Sequence, residues 1–438
     1  MSWRRLALAG LLTVGLAPAA GAVDVREVTT PLGLKAWLVQ DKSAPVVALS
    51  FSFDGGSATE PDAKKGVTNL MAIMLTDGAG SLPAEDFRRR QQDATASIGF
   101  GASPDLLSGS LRVLSANRDK GFELLRLAMM EPRFDQAMLD QRRAQSIAGL
   151  NQAEQRPGTV AMRTLTAALF ENHPYAHAVS GLRDSLKALT PGDLRTRAHE
   201  LLSRDGLLIS AVGDIDAGEL GRELDRTFGG LPARTAKPAL PDWTPPARPR
   251  TIVVQRPVPQ SSVLMAMPAL NRDDPDWYAA LVMTQILGGG QQSRLFDEVR
   301  EKRGLAYGVS ASLRSYAKAS VLMISTASAN EKVAEAIDVI GKQLERMRSG
   351  DVTADELADA KTYLSGSLAL SLDSSGAVSN MLQSFQVDRL PRDYFVKRAD
   401  LIAAVTAADV HRVAGRILRE QALTTVVVGQ PVGLTSDR

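Results

Sequence analysis

Two tandem, homologous α+β domains, each a mostly antiparallel sheet with helices packed on one face, are what this 438-residue chain predicts. Three observations predict it. Segments of the first half recur in the second at a constant spacing, a proline-rich stretch separates the halves, and in each half alternating apolar strands give way to amphipathic helices.

The repeat is read from two pairs of segments. Leu189-Thr-Pro-Gly-Asp-Leu194 corresponds to Val405-Thr-Ala-Ala-Asp-Val410, and Leu207-Leu-Ile-Ser-Ala-Val-Gly213 to Leu423-Thr-Thr-Val-Val-Val-Gly429, both at an offset of 216 residues. Two matches at one offset argue for duplication. Between the halves, residues 231–250 contain six prolines, which exclude an interior helix or a central strand and favour an extended spacer.

The elements follow in order. Val46 to Phe53 and Ser262 to Met267 alternate and read as strands. Each is followed by a helix, over roughly Lys65 to Leu75 in the first half and Asp276 to Leu287 in the second, where Gly288-Gly289-Gly290 ends it. Amphipathic helices are expected over Lys120 to Met130 and Glu331 to Arg348, then helices capped by Thr190 and Thr406, and a last strand in each half. This divides the chain into residues 1–22, a domain at 23–230, the linker at 231–250 and a domain at 251–438.

Residues 1–22 have the order of a secretory signal peptide: Arg4-Arg5, an apolar run from Leu6 to Leu16, and the small-x-small site Ala20-Gly21-Ala22. A membrane anchor would need about 20 apolar residues, more than this run supplies. Cleavage removes two arginines and no acid, taking the formal charge from +2 to about zero. So balanced a surface excludes nucleic acid and, after cleavage, the membrane as expected partners. The absence of cysteine excludes disulfides, thiolate metal sites and a cysteine nucleophile.

Two segments carry the chemistry. The first runs Phe51-Ser-Phe-Asp-Gly-Gly-Ser-Ala-Thr-Glu60-Pro, then Gly66-Val-Thr-Asn-Leu-Met-Ala-Ile-Met-Leu-Thr-Asp-Gly78, and resembles the active-site stretch of the insulinase/pitrilysin metallopeptidases. In that family a strand ends in Gly-Ser/Thr and the next helix carries His-x-x-Glu-His. Positions i, i+3 and i+4 share a helix face, placing two imidazoles on zinc with a carboxylate beside its water. Here the three positions hold Asn69, Ala72 and Ile73, which make no zinc site. The family's downstream glutamate should fall within Gln141 to Ala153, a run with no carboxylate. The resemblance therefore implies a peptidase-like N-terminal domain with a degenerate motif and no metal in this chain.

The second segment is Leu287-Gly-Gly-Gly-Gln-Gln-Ser-Arg-Leu-Phe-Asp-Glu-Val-Arg300-Glu-Lys-Arg-Gly-Leu-Ala-Tyr307. It is similar to the family's C-terminal motif of Gly-Gly, Ser-Arg-Leu and Arg-x6-Tyr, in register over some ten positions. The resemblance implies that Arg300 and Tyr307 contact the substrate carbonyl across a chamber from zinc, where a cation and a phenol stabilise the charge gained by the oxygen. Gly288, Gly289, Gly290 and Ser293 are the expected substrate-binding residues; for the glycines, a helix stop that allows positive φ is the plainer reading and a substrate-admitting loop the sharper one.

An erased metal motif beside a retained Arg/Tyr motif resembles the family's bacterial two-chain peptidases. It implies a periplasmic heterodimer with a homologous subunit that binds zinc through His-x-x-Glu-His, Arg300 and Tyr307 acting in trans on unfolded peptide. A catalytically inert structural or peptide-binding subunit is the alternative, and an independent peptidase a further one. Other constellations carry little. His173 and His177 are four apart, but Pro174 disfavours a helix there, and Ser315-Tyr-Ala-Lys318 lacks the motifs that accompany a catalytic Ser-x-x-Lys.

Overall fold

The structure is a computed structural model describing residues 24–437. The expected signal peptide lies outside the described residues. Strands of the first half are β1 (Arg26–Thr29), β2 (Lys35–Gln40), β3 (Val46–Asp54), the short pair β4 (Gly78–Ala79) and β5 (Leu82–Pro83), β6 (Ser97–Ala102), β7 (Leu106–Leu114) and β8 (Leu208–Gly213). Those of the second are β9 (Arg250–Gln255), β10 (Gln260–Pro268), β11 (Ala306–Ser315), β12 (Ser320–Ala329) and β13 (Thr424–Gly429).

The two large sheets have one topology. The first is ordered β1-β2-β8-β3-β7-β6 and the second β11-β12-β10-β13-β9, so that, read in opposite directions, they match strand for strand except for the extra β1. Each contains one parallel pair, β2 with β8 and β9 with β13, and is otherwise antiparallel. The 216-residue offset holds for the helices Pro191–Leu201 and Ala407–Ile417 and for β8 and β13. Both helices open on a reciprocal capping box, Thr190 with Asp193 and Thr406 with Asp409, which satisfies two backbone donors that have no partner inside the helix.

Helices cover one face of each sheet, as the alternation requires. In β3, Val47, Leu49, Phe51 and Phe53 point into a core shared with Leu70, Met71, Phe122 and Phe228, while Ser50 and Ser52 point the other way. Gly109 on β7 is needed here, because a Cβ at that position would come within 2.2 Å of the Phe51 ring.

The second face of each sheet is covered by a helix from the other half, an arrangement that periodicity does not reveal. Helix Pro157–Phe170 of the first half packs Ala161, Leu165, Leu169 and Phe170 on Leu264, Ala266, Val426 and Val428 of the second sheet. Each large side chain buried there stabilises by about 1.5–3 kcal/mol. Helix Ser375–Val387 of the second half lies on β3 and β8 through polar contacts instead. Ser379 reaches Ser50 Oγ at 2.9 Å, Gln383 Nε2 donates to Ser52 Oγ at 2.8 Å, and Gln386 Nε2 donates to the Ile209 carbonyl at 2.8 Å. The difference follows from the residues that each sheet turns outward.

Residues 231–249 form neither helix nor strand. Trp243 in this stretch donates from Nε1 to the Leu169 carbonyl at 3.1 Å and packs on Phe170, so the spacer is fastened to the crossed-over helix. Among the described residues no helix is long and apolar enough to cross a membrane.

Candidate active site

The degenerate positions lie on helix Val67–Met74, which starts two residues later than periodicity suggests because Gly66 is left-handed, at φ 92°. A Cβ there would also press on the Gly181 backbone at 2.8 Å. Glu60 anchors the helix start: its buried carboxylate accepts from the Gly66 and Thr68 backbone N–H groups, both at 2.7 Å. Burial pushes the Glu60 carboxyl above its ordinary range, against the pull of those two donors and of Arg197. Arg197, 2% exposed, donates to Thr68 Oγ1 at 2.9 Å, to the Gly56 carbonyl at 2.8 Å and to Thr59 Oγ1 at 2.6 Å. The start of this helix is thus firmly framed, and the positions inside the frame hold no zinc ligand.

Ala72 is buried, whereas Asn69 and Ile73 are half-buried. The downstream run falls on helix Gln136–Ala153, whose one acid, Asp140, accepts from Arg143 at 2.8 Å and Gln136 at 2.9 Å. Arg142 of the same helix grips Asp77 through two bonds of 2.6 and 2.7 Å. Among the described residues no three His, Cys, Asp or Glu side chains converge as a metal site would require. The donor set does not fit zinc.

The Arg/Tyr pair is assembled. Phe296–Glu301 is a π-helical turn, wider than an α-helix and of a kind often found at functional sites. Its Lys302 N–H bonds the Asp297 carbonyl, five residues back, at 2.9 Å. Arg300 projects from this turn. Tyr307 sits where β11 slips one residue against β12, between the partners Ala306↔Ser328 and Val309↔Thr326. Such a bulge re-aims a side chain, and Tyr307 is 86% exposed. The two irregularities bring the groups together: the Arg300 guanidinium carbon is 4.9 Å from the centre of the Tyr307 ring and 4.7 Å from that of Phe296. The carboxylate nearest Arg300, Glu301, is 3.4 Å away and exposed, a pairing worth at most about 1 kcal/mol. The cation is therefore available to an incoming anion.

Beside the pair is a 530 Å³ cleft lined by Gly288, Gly289 and Gly290 with Leu264, Phe296 and Ala311. Gly288 and Gly289 are required by crowding, while a Cβ on Gly290 would meet only Gln285 at 3.9 Å, and none of the three has positive φ, which corrects the plainer sequence reading: helix Trp277–Gly288 does end here, but Gly289 has φ −79°. A Cβ on Gly288 would lie 2.6 Å from the Ala311 backbone nitrogen. Ser293 departs from the expected substrate contact. It is 3% exposed and its hydroxyl donates to the Gly290 carbonyl at 2.5 Å, so it holds the glycine run in place.

The remaining candidates resolve as structure. His173 is buried, donating from Nε2 to the Pro241 carbonyl at 2.9 Å and accepting the Tyr175 N–H on Nδ1 at 3.2 Å. Lys318 pairs with Asp242 at 2.9 Å. Sequence reasoning missed Glu60, Arg197 and Phe296. A signal existed for Phe296, four residues before Arg300 on one helical face.

Paired sheets of one topology, a framed helix without ligands and an assembled Arg/Tyr pair define a duplicated metallopeptidase fold. Residues 35–182 match the family described as insulinase (peptidase family M16), and residues 188–364 match the peptidase M16 inactive domain; the chain belongs to peptidase family M16. It is similar to a protein of Streptomyces coelicolor named an uncharacterized zinc protease, at 25% identity over 93% of this chain and 90% of that one. It is also similar to a non-peptidase homolog of Helicobacter pylori, at 25% identity over 80% and 81%. A solved structure described as the peptidase M16 inactive domain from Pseudomonas fluorescens superposes with a TM-score of 0.88 at 27% identity, covering 94% of this chain and 99% of that one.

Proposed function

We propose that this chain is the non-zinc subunit of a two-subunit periplasmic peptidase, exported by the signal peptide read in residues 1–22, and that it supplies Arg300 and Tyr307 in trans to a homologous partner. One observation carries the reading: the guanidinium and the phenol stand together, 4.9 Å apart by the ring centre, in a chain whose metal positions are Asn69, Ala72 and Ile73. The partner's zinc, held by His-x-x-Glu-His, would polarise the scissile carbonyl and activate water. This chain's part is electrostatic. Arg300 offers a fixed cation and Tyr307 a phenolic donor to the oxygen that gains charge, inside a chamber that excludes bulk water. The cleft under Gly288–Gly290 receives unfolded peptide. The Helicobacter pylori relative named a non-peptidase homolog supports the non-catalytic half of this reading.

The test is reconstitution. The chain is purified with the His-x-x-Glu-His homologue of its own organism, and hydrolysis of an unfolded peptide is compared for the wild type, Arg300→Ala and Tyr307→Phe. Each substitution should lower kcat by about 100-fold, the effect of one lost oxyanion donor. Undiminished hydrolysis in both would leave an inert structural or peptide-binding subunit.

A further inference from the structure

We infer that Phe296 is a positioning residue for Arg300, holding the guanidinium by a cation–π contact that presents it to substrate; the inference rests on the function proposed above. The geometry is specific. Arg300 has its guanidinium carbon over two rings, 4.7 Å from the Phe296 ring centre and 4.9 Å from the Tyr307 ring centre. A guanidinium within about 6 Å of a ring centre is attracted by the negative ring face.

The two rings differ. Tyr307 is 86% exposed and comes from a bulged strand, so by itself it is a poor anchor. Phe296 is half-buried, packed against the core that includes Leu295 and Val299, and its place on the π-helical turn sets it above Arg300. It is the fixed ring. Without it Arg300 would keep only the exposed Tyr307 ring and the exposed Glu301, 3.4 Å away, and the latter contact draws the cation along the surface. An arginine side chain free to sample many rotamers must be ordered again at each turnover, whereas a stacked one is ordered in advance. Phe296 also lines the 530 Å³ cleft, so the same ring that aligns the cation bounds the space for peptide.

The test separates stacking from ordinary packing. In the reconstituted complex, Phe296→Leu should lower kcat by about 10-fold with little change in KM, the upper range of a part-desolvated cation–π contact, and Phe296→Tyr should restore it. Because Leu keeps most of the apolar volume, a purely structural role predicts the opposite order, with Leu tolerated and the added hydroxyl of Tyr not. A second measurement needs no partner: in the full chain with labelled arginine, the Arg300 δ-methylene protons should be shifted upfield by the rings and move downfield in Phe296→Leu. Arg300→Ala is assayed alongside. If Arg300→Ala leaves hydrolysis intact, the proposed function itself fails, whatever Phe296 does. If Arg300→Ala is impaired but Phe296→Leu matches the wild type in kcat, or leaves the Arg300 resonances unmoved, the positioning role is overturned and the proposed function stands.

Discussion

Arg300 and Tyr307 are seven residues apart in sequence, yet the guanidinium carbon of one lies 4.9 Å from the ring centre of the other. Neither side chain would be there in regular structure. The π-helical turn at Phe296–Glu301 sets Arg300 and the one-residue slip between Ala306 and Val309 turns Tyr307 outward. The π turn shifts its backbone bonding from four residues back to five and the bulge leaves one residue of β11 unpaired, irregularities of the kind that cluster at functional sites.

Tyr307→Phe keeps the ring and removes the hydroxyl. Stability should stay within about 0.5 kcal/mol of the wild type, since the site is exposed, while hydrolysis by the reconstituted complex falls. Urea unfolding beside kinetics checks this; equal loss in both would make Tyr307 a structural residue.

Metal content should be nil. Purified chain, incubated with zinc and desalted, is expected to retain none at stoichiometric level by elemental mass spectrometry. The triple variant Asn69→His, Ala72→Glu, Ile73→His should also fail to hold zinc tightly, because it supplies two imidazoles and helix Gln136–Ala153 adds no third ligand where catalytic zinc sites use three protein ligands. It should be less stable, since Ala72 is 1% exposed and a carboxylate there loses its water.

The crossed-over helices predict unequal costs. Leu165→Ala, at a position 2% exposed, should destabilise by about 2–5 kcal/mol through lost burial and a cavity. Ser379→Ala removes one buried hydroxyl that faces Ser50, and should cost about 1 kcal/mol. Chemical denaturation measures both, and equal losses would contradict the apolar and polar character of the two contacts.

Asp409 predicts part of the acid limb of stability. Hydrogen bonds from the Thr406 hydroxyl and backbone N–H, with Arg412 beside them, lower its carboxyl from 3.8 to about 2. Because the folded value is the lower one, the stabilisation is present above pH 3.8 and is lost as pH falls toward 2. Thermal melts of wild type and Asp409→Asn should therefore differ at neutral pH and converge near pH 2. A gap that persists at the acid end would assign the effect to packing.

Much of the fold was legible because its signals are local. The Thr190 and Thr406 capping boxes, the strands at Val46–Asp54 and Gln260–Pro268, and the helices at Arg118–Met130 and Val333–Arg348 lie within a few residues of where periodicity places them. The shift at Val67 comes from one left-handed glycine, and no periodic pattern encodes a φ angle. For the site, Arg300 and Tyr307 were readable as a spaced motif, whereas the inward turn of Ser293 and the stacking of Phe296 depend on neighbours that the motif does not contain.

By itself the sequence determined that the chain is duplicated, that Asn69, Ala72 and Ile73 stand where the family it resembles carries its zinc motif, and that a cation and a phenol lie seven residues apart, because repeats and motif registers are read from residue identity and spacing. The tertiary structure decided that the halves exchange helices, that Glu60 and Arg197 frame a helix without zinc ligands, and that the Arg300 guanidinium lies over Phe296 as well as Tyr307. These arise from contacts between residues distant in the chain or from a break in regular geometry, and burial energy selects among such contacts only when the whole core closes.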